Sequence, residues 1–108
     1  MAHQDFADLE RHVSYEDMIE NAKGAANYLK ALSNETRLVI MCKLFEGPKT
    51  VGELEDLVGA RQANVSQHLT RLKEEGIVSF ERHGKTMVYA IADEDALDIF
   101  AVLHRKYC

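Results

Sequence analysis

Cysteine and proline are scarce in this sequence. Two of its 108 residues are cysteine, Cys42 and the final Cys108, and one is proline, Pro48. Thiols so far apart make no Cys-x-x-Cys motif and have no evident base paired with them, so a thiol enzyme is not expected. They also give no disulfide framework, and a chain of this length can build its core without one. No apolar run approaches the roughly 18 to 20 residues of a membrane helix. The opening stretch MAHQDFADLERHV is polar and acidic, unlike a signal peptide, so a cytoplasmic location is expected. There a permanent disulfide is the weaker reading of the two cysteines. With no repeat, no low-complexity tract and no linker rich in Gly, Pro or Ser, residues 1–108 read as one domain, 1–13 being a flexible lead segment.

Basic residues are in the minority, 13 Lys and Arg against 18 Asp and Glu, and the net charge of −5 taken alone argues against nucleic acid as partner. Their distribution argues the other way. From Arg61 to Lys85 five basic residues (Arg61, Arg71, Lys73, Arg82, Lys85) meet three acidic ones (Glu74, Glu75, Glu81), which leaves +2 in this segment and −7 in the remainder.

Helix signals organise the chain. Ser14, with Asp17 three residues on, reads as an N-cap, and Tyr15, Met18, Ile19, Ala22, Ala25, Ala26 and Leu29 follow at helical spacing, predicting a helix over residues 14–30. Ser33 is expected to cap a second helix that turns Leu38, Met41, Cys42 and Phe45 inward and stops at Gly47-Pro48. Thr50 and Glu53 form a capping box for a short third helix with Val51, Leu54, Leu57 and Val58, ending at Gly59. Three residues later RQANVSQHLTRLKEEG predicts a fourth, with Val65, Leu69 and Leu72 on one side and Gly76 as terminator. Two short helices about a tight turn suggest helix-turn-helix. IVSFER-HGK-TMVYAI then reads as a β-hairpin round a three-residue turn, a wing, and Asp93 opens a last helix with Leu97, Phe100, Ala101 and His104 on one face. The fold class is mostly α with a β-hairpin wing, a winged helix-turn-helix in the order α-α-α-α-β-β-α.

At about 100° per residue, Gln67, Thr70, Arg71 and Glu74 fall opposite Val65, flanked by Asn64 and Ser66. A polar outward face is ordinary for an amphipathic helix. Here it follows a tight turn and precedes a basic hairpin, and its short and amide side chains suit base edges. Gln can pair with adenine, Ser and Thr with bases or phosphates, and Arg71 with a phosphate or a guanine. Arg61 and Gln62 at the helix start and Arg82, His83 and Lys85 around Gly84 at the wing tip complete the candidate DNA contacts. His68 lies about 60° from Val65 and reads as a core-edge histidine.

LSNETRLVIMCKLFEG, VGELEDLVGARQANVSQHLTRLKEEGIV and ERHGKTMVYAI together resemble the ArsR-type family of small dimeric winged-helix repressors, over residues 20–105. VSQHL, the following L-x-x-x-G-I-V and the R-x-G-K wing are the most specific pieces. The resemblance implies a homodimer paired through its first and last helices, with the recognition helices in successive major grooves of a palindromic operator in double-stranded DNA. Arg61 stands where the family usually has a capping Ser or Thr, which leaves it phosphate contact as a role.

Many relatives sense metals. The third helix, VGELEDLVG, has no thiol where arsenic and cadmium sensors carry a cysteine pair. At the last-helix site of zinc and nickel sensors, Ile91, Asp93, His104 and Tyr107 supply two ligands of four, and His3, His12, His68 and His83 are scattered. No metal and no cofactor are expected. One thiol in the second helix and one ending the fifth instead resemble the sulfide- and persulfide-responsive branch, that of the biofilm growth-associated repressors. In that branch such a dithiol becomes a disulfide or polysulfide. This implies a redox switch at Cys42 and Cys108, persulfide as inducer, and release of DNA. A metal-responsive repressor of the same family and a winged helix used for protein contact remain as alternatives, the latter calling for an apolar or acidic recognition surface.

Overall fold

The computed structural model describes residues 14–59 and 64–107. Among them the order is α1 (Tyr15–Leu32), α2 (Glu35–Leu44), β1 (Lys49–Thr50), α3 (Val51–Val58), α4 (Val65–Glu74), β2 (Val78–His83), β3 (Thr86–Ile91) and α5 (Glu94–Tyr107). This is the expected winged helix-turn-helix, with one short strand added. The lead segment 1–13, Arg61, Gln62 and Cys108 lie outside the described residues.

Most helix starts are set by side chains that satisfy backbone N–H groups with no partner inside the helix. The Ser14 hydroxyl accepts from the Asp17 amide at 3.1 Å, and the Asp93 carboxylate accepts from the Ala96 amide at 2.9 Å. At α3 the capping box is complete: the Glu53 amide donates to Thr50 Oγ1 at 3.1 Å and the Thr50 amide to Glu53 Oε1 at 2.9 Å. The Thr50 backbone amide first, and then its side chain, bond to the ionised form and hold the Glu53 carboxyl below its usual range.

Two caps differ from expectation. Helix α1 runs on to Leu32, and Ser33 closes it by donating its amide to the Leu29 and Lys30 carbonyls. The cap of α2 is therefore Asn34, whose Oδ1 accepts from the Arg37 amide at 3.0 Å. Helix α4 is described from Val65, with Asn64 as its cap, and residues 60–63 before it lie outside the described residues. Asn64 is left-handed there, φ +75°, a conformation asparagine tolerates better than most residues.

The hairpin also corrects the sequence reading. His83 pairs with Thr86, so the wing turns on two residues, Gly84 and Lys85, not three. Gly84 supplies the positive φ, +66°, that a tight two-residue turn requires of its first residue. The short strand β1 lines up Lys49 with Tyr89 and Thr50 with Val88, giving the sheet order β1-β3-β2.

The core joins Ala31 and Leu32 of α1, Ile40, Met41 and Leu44 of α2, Leu54, and Val65, Leu69 and Leu72 of α4 to Ile77, Val78, Tyr89 and Phe100. Leu38, Cys42 and Phe45 are half-buried against it, so α2 packs on more than the single face expected. Leu57 and Leu97, expected inside, are 44% and 40% exposed. On α1, Tyr15, Met18, Ile19 and Leu29 are all exposed. No helix among the described residues is long and apolar enough to cross a membrane.

Candidate nucleic-acid interface

Burial of Val65, Leu69 and Leu72 fixes the rotation of α4, and Ser66, Gln67, Thr70 and Glu74 face outward, as the wheel predicts. Together with Arg71 they line one shallow concavity. A second brings Ser66 beside Thr50, Val51 and Gly52 at the start of α3 and beside Lys85, Thr86 and Met87 of the wing. The start of α4, the start of α3 and the wing tip thus form one continuous surface.

Hydrogen bonds assign different chemistry to these side chains. The Thr70 hydroxyl donates back to the Ser66 carbonyl at 2.9 Å, so Thr70 offers outward only lone pairs and a methyl group. Arg82 and Lys85 are exposed. His83 Nε2 lies 3.0 Å from Glu81 Oε2 in an exposed pair, which offsets part of the positive charge at the wing. Lys73 Nζ sits 4.7 Å above the Phe80 ring, an attraction to the face of the ring.

Arg71 is half-buried. Its Nη1 donates to Glu75 Oε2 at 3.0 Å and its Nη2 to the Asn27 carbonyl of α1 at 3.4 Å. A second arginine, missed in the sequence, sits close by. Arg37 donates from Nε to the Ala31 carbonyl, from Nη2 to the Lys30 carbonyl at 3.3 Å, and lies with Nη1 3.3 Å from His68 Nδ1. A guanidinium can only donate, so this contact is a hydrogen bond when His68 Nδ1 accepts, which favours the neutral imidazole. Burial first, and then the Arg37 charge, holds His68 below its ordinary value, while burial and then Arg71 lower Arg37. The expectation of a core-edge histidine describes His68 well. No periodicity in the sequence marks Arg37, because its partners are carbonyls at the end of another helix.

Cys42 is half-buried on α2 within the apolar cluster that holds Leu38 and Phe45. One turn on, the Phe45 ring lies 5.7 Å from Phe100 and 4.4 Å from His104, so this end of α2 packs on α5. Among the described residues no group of three His, Cys, Asp or Glu side chains is arranged to hold a metal ion.

The sequence pattern described as bacterial regulatory protein, arsR family, matches residues 34–79. A biofilm growth-associated repressor of Xylella fastidiosa is 39% identical over 101 residues, 94% of this chain and 89% of its own. Among solved structures, reduced HlyU from Vibrio cholerae superposes with a TM-score of 0.77 at 34% identity, over 86% of this chain and 98% of its own. A homodimeric winged helix-turn-helix DNA-binding domain from Mycobacterium bovis, a possible ArsR-family transcriptional regulator, gives 0.75 at 29% identity, over 95% of this chain and 86% of its own. Likeness of this extent in both sequence and fold places the protein: it belongs to the ArsR family of bacterial regulatory proteins.

Proposed function

We propose that the chain is a homodimeric repressor whose reduced form holds palindromic operator DNA and releases it when Cys42 and Cys108 become linked. The observation that carries the DNA-binding part is the single surface formed by the polar face of α4 and the wing tip, where Ser66 lies beside Lys85. Gln67, Ser66 and Asn64 read base edges in the major groove, with the lone pairs and methyl group of Thr70 beside them. Arg82 and Lys85 grip phosphates, His83 joins them when drawn from Glu81, and Arg61 and Gln62, just ahead of α4 in the sequence, add further polar contacts.

Dimerisation is supported by Tyr15, Met18, Ile19 and Leu29 on α1 and Ile99 and Val102 on α5, which are 42% to 75% exposed. Large apolar side chains gathered on two helices mark an interaction surface. The Mycobacterium bovis relative is itself homodimeric.

The thiol switch rests on the pairing of one cysteine in α2 with one at the chain end, and on a relative, HlyU, solved in its reduced form. The chemistry balances with a low-molecular-weight persulfide as oxidant. One cysteine thiolate attacks the outer sulfur of glutathione persulfide, the S–S bond breaks, glutathione thiolate leaves, and a cysteine persulfide forms. The second thiolate attacks its inner sulfur and expels hydrosulfide, leaving a disulfide; two thiols are oxidised and one sulfane sulfur is reduced. When both cysteines carry a persulfide, the same displacement gives a trisulfide, which spans a longer gap than the roughly 4.4–6.8 Å between Cα atoms that a disulfide allows. A link between α2 and the end of α5 ties the core to a helix of the dimer surface and shifts the two recognition helices.

The DNA-binding part is tested by selecting duplexes from a randomised pool with the reduced protein and footprinting the product. A palindrome with half-sites about 10 base pairs apart is expected. Recovery of no duplex, or of a single unrepeated site, contradicts the proposal.

A further inference from the structure

We propose that Arg71 and Arg37 are positioning residues: two guanidinium ties that lock α4 to the C-terminal half of α1 and so set the half-site spacing the dimer accepts. Arg71 acts in this way instead of contacting DNA. The inference rests on the dimeric, operator-binding reading above.

On α4, His68 and Arg71 are three residues apart and so lie on the same side of the helix. Both are tied toward α1. Arg71 reaches the Asn27 carbonyl directly, and His68 is reached through Arg37, which also grips the Lys30 and Ala31 carbonyls. The Lys30 and Ala31 carbonyls lie in the last turn of α1, which carries partial negative charge and favours cations, and the Asn27 carbonyl lies one turn earlier. The Arg71–Glu75 pair has the basic residue on the N-terminal side, the poorer orientation for stabilising an isolated helix. Its side chains are nonetheless only 32% and 25% exposed. What the pair does accomplish is to fix the guanidinium in line with α1.

Helix α1 carries much of the exposed apolar surface assigned to the dimer, so any slip of α4 on α1 changes the distance between recognition helices. Two-fold symmetry doubles it. Successive bases rise by about 3.4 Å, so a displacement of about 1.7 Å per protomer equals one base pair of spacing. Rigid ties at this joint are therefore a spacing gauge.

The test uses the duplex selected with the reduced full-length protein and versions whose half-site spacing is lengthened or shortened by one base pair. Each is titrated at several salt concentrations. Wild type is expected to favour the selected spacing by about tenfold or more. Arg71→Met and Glu75→Gln should each reduce that preference to about threefold or less while leaving the salt slope unchanged. Glu75→Gln breaks the tie from its acidic end and leaves the DNA-facing cations in place, so it answers the question even where Arg71→Met folds poorly. If Arg71 instead holds a phosphate, Arg71→Met weakens all spacings by one factor and lowers the salt slope by about 0.9, while Glu75→Gln tightens all spacings alike. Either that pattern or an unchanged spacing preference overturns the inference. A wild-type protein that selects no duplex overturns the operator-binding reading beneath it.

Discussion

Replacing Gln67 and Arg82 by alanine, one at a time, separates reading of bases from grip on the backbone. The Gln67 backbone N–H already donates to the Asn64 carbonyl at 2.9 Å, and the side chain is exposed on the outward face of α4. Its carboxamide is thus the part offered to a base edge. A bidentate pair with adenine N6 and N7 is worth about 1–3 kcal/mol of discrimination, or about 5- to 150-fold at one base position. Arg82 is exposed on β2 and offers charge without a matching base-reading geometry. Loss of one phosphate contact should lower the slope of log affinity against log salt by about 0.9. Both side chains are exposed, so each change should move folding stability by no more than about 0.5 kcal/mol. The assay is fluorescence anisotropy on the selected duplex and its single-base variants at several salt concentrations, with thermal melts as a folding control. Gln67→Ala should level the preference at one position with the salt slope intact; Arg82→Ala should weaken all duplexes alike and flatten the slope. If both variants weaken all sequences by one factor, Gln67 is not a base reader.

Further outcomes test the frame behind this surface. Leu69 is fully buried under α4, so Leu69→Ala should cost about 2–5 kcal/mol in urea unfolding, and a loss below about 1 kcal/mol would mean that α4 is not anchored as described. The folded chain protonates His68 less readily than the unfolded chain, because burial and Arg37 disfavour the charged ring. Its contribution to stability is therefore complete above the ordinary histidine value of about 6.5 and declines as pH falls below it. Wild type should lose more stability between neutral pH and mild acid than His68→Gln does; equal losses would contradict the lowered proton affinity of His68 beside Arg37. Zinc, nickel, cadmium and arsenite at modest excess should leave operator affinity unchanged, and stoichiometric zinc binding with release of DNA would point to a metal-responsive regulator instead.

Much of the fold is legible in the sequence where local chemistry decides it. Ser14, Thr50 with Glu53, and Asp93 cap the helices they were expected to cap, because each satisfies N–H groups two or three residues away. Where two signals compete, the reading slips: Ser33 and Asn34 both resemble caps, and only the length of α1 decides which helix each serves. Strand β1 has two residues, too few to show an alternating pattern, and it exists only because β3 passes beside it. The sequence suggests a wing turn one residue longer than the actual one, because the spacing of turn residues does not set the register that pairs His83 with Thr86. Of the interface, the outward set Ser66, Gln67, Thr70 and Glu74 follows from helical periodicity alone. The Arg71–Glu75 pair is a four-residue helical spacing, but the reach of Arg71 to Asn27 and of Arg37 to His68 spans 44 and 31 residues of sequence, which no local pattern encodes.

The thiol switch is tested most directly by titrating the selected duplex with four preparations: reduced wild type, wild type treated with glutathione persulfide, and treated Cys42→Ser and Cys108→Ser. Treated wild type should lose affinity by about 5- to 150-fold, the usual range of coupling between two sites, and regain it on reduction with dithiothreitol. Both treated serine variants should bind as reduced wild type does. Release of DNA by either single variant after the same treatment would show that a paired Cys42–Cys108 switch is wrong.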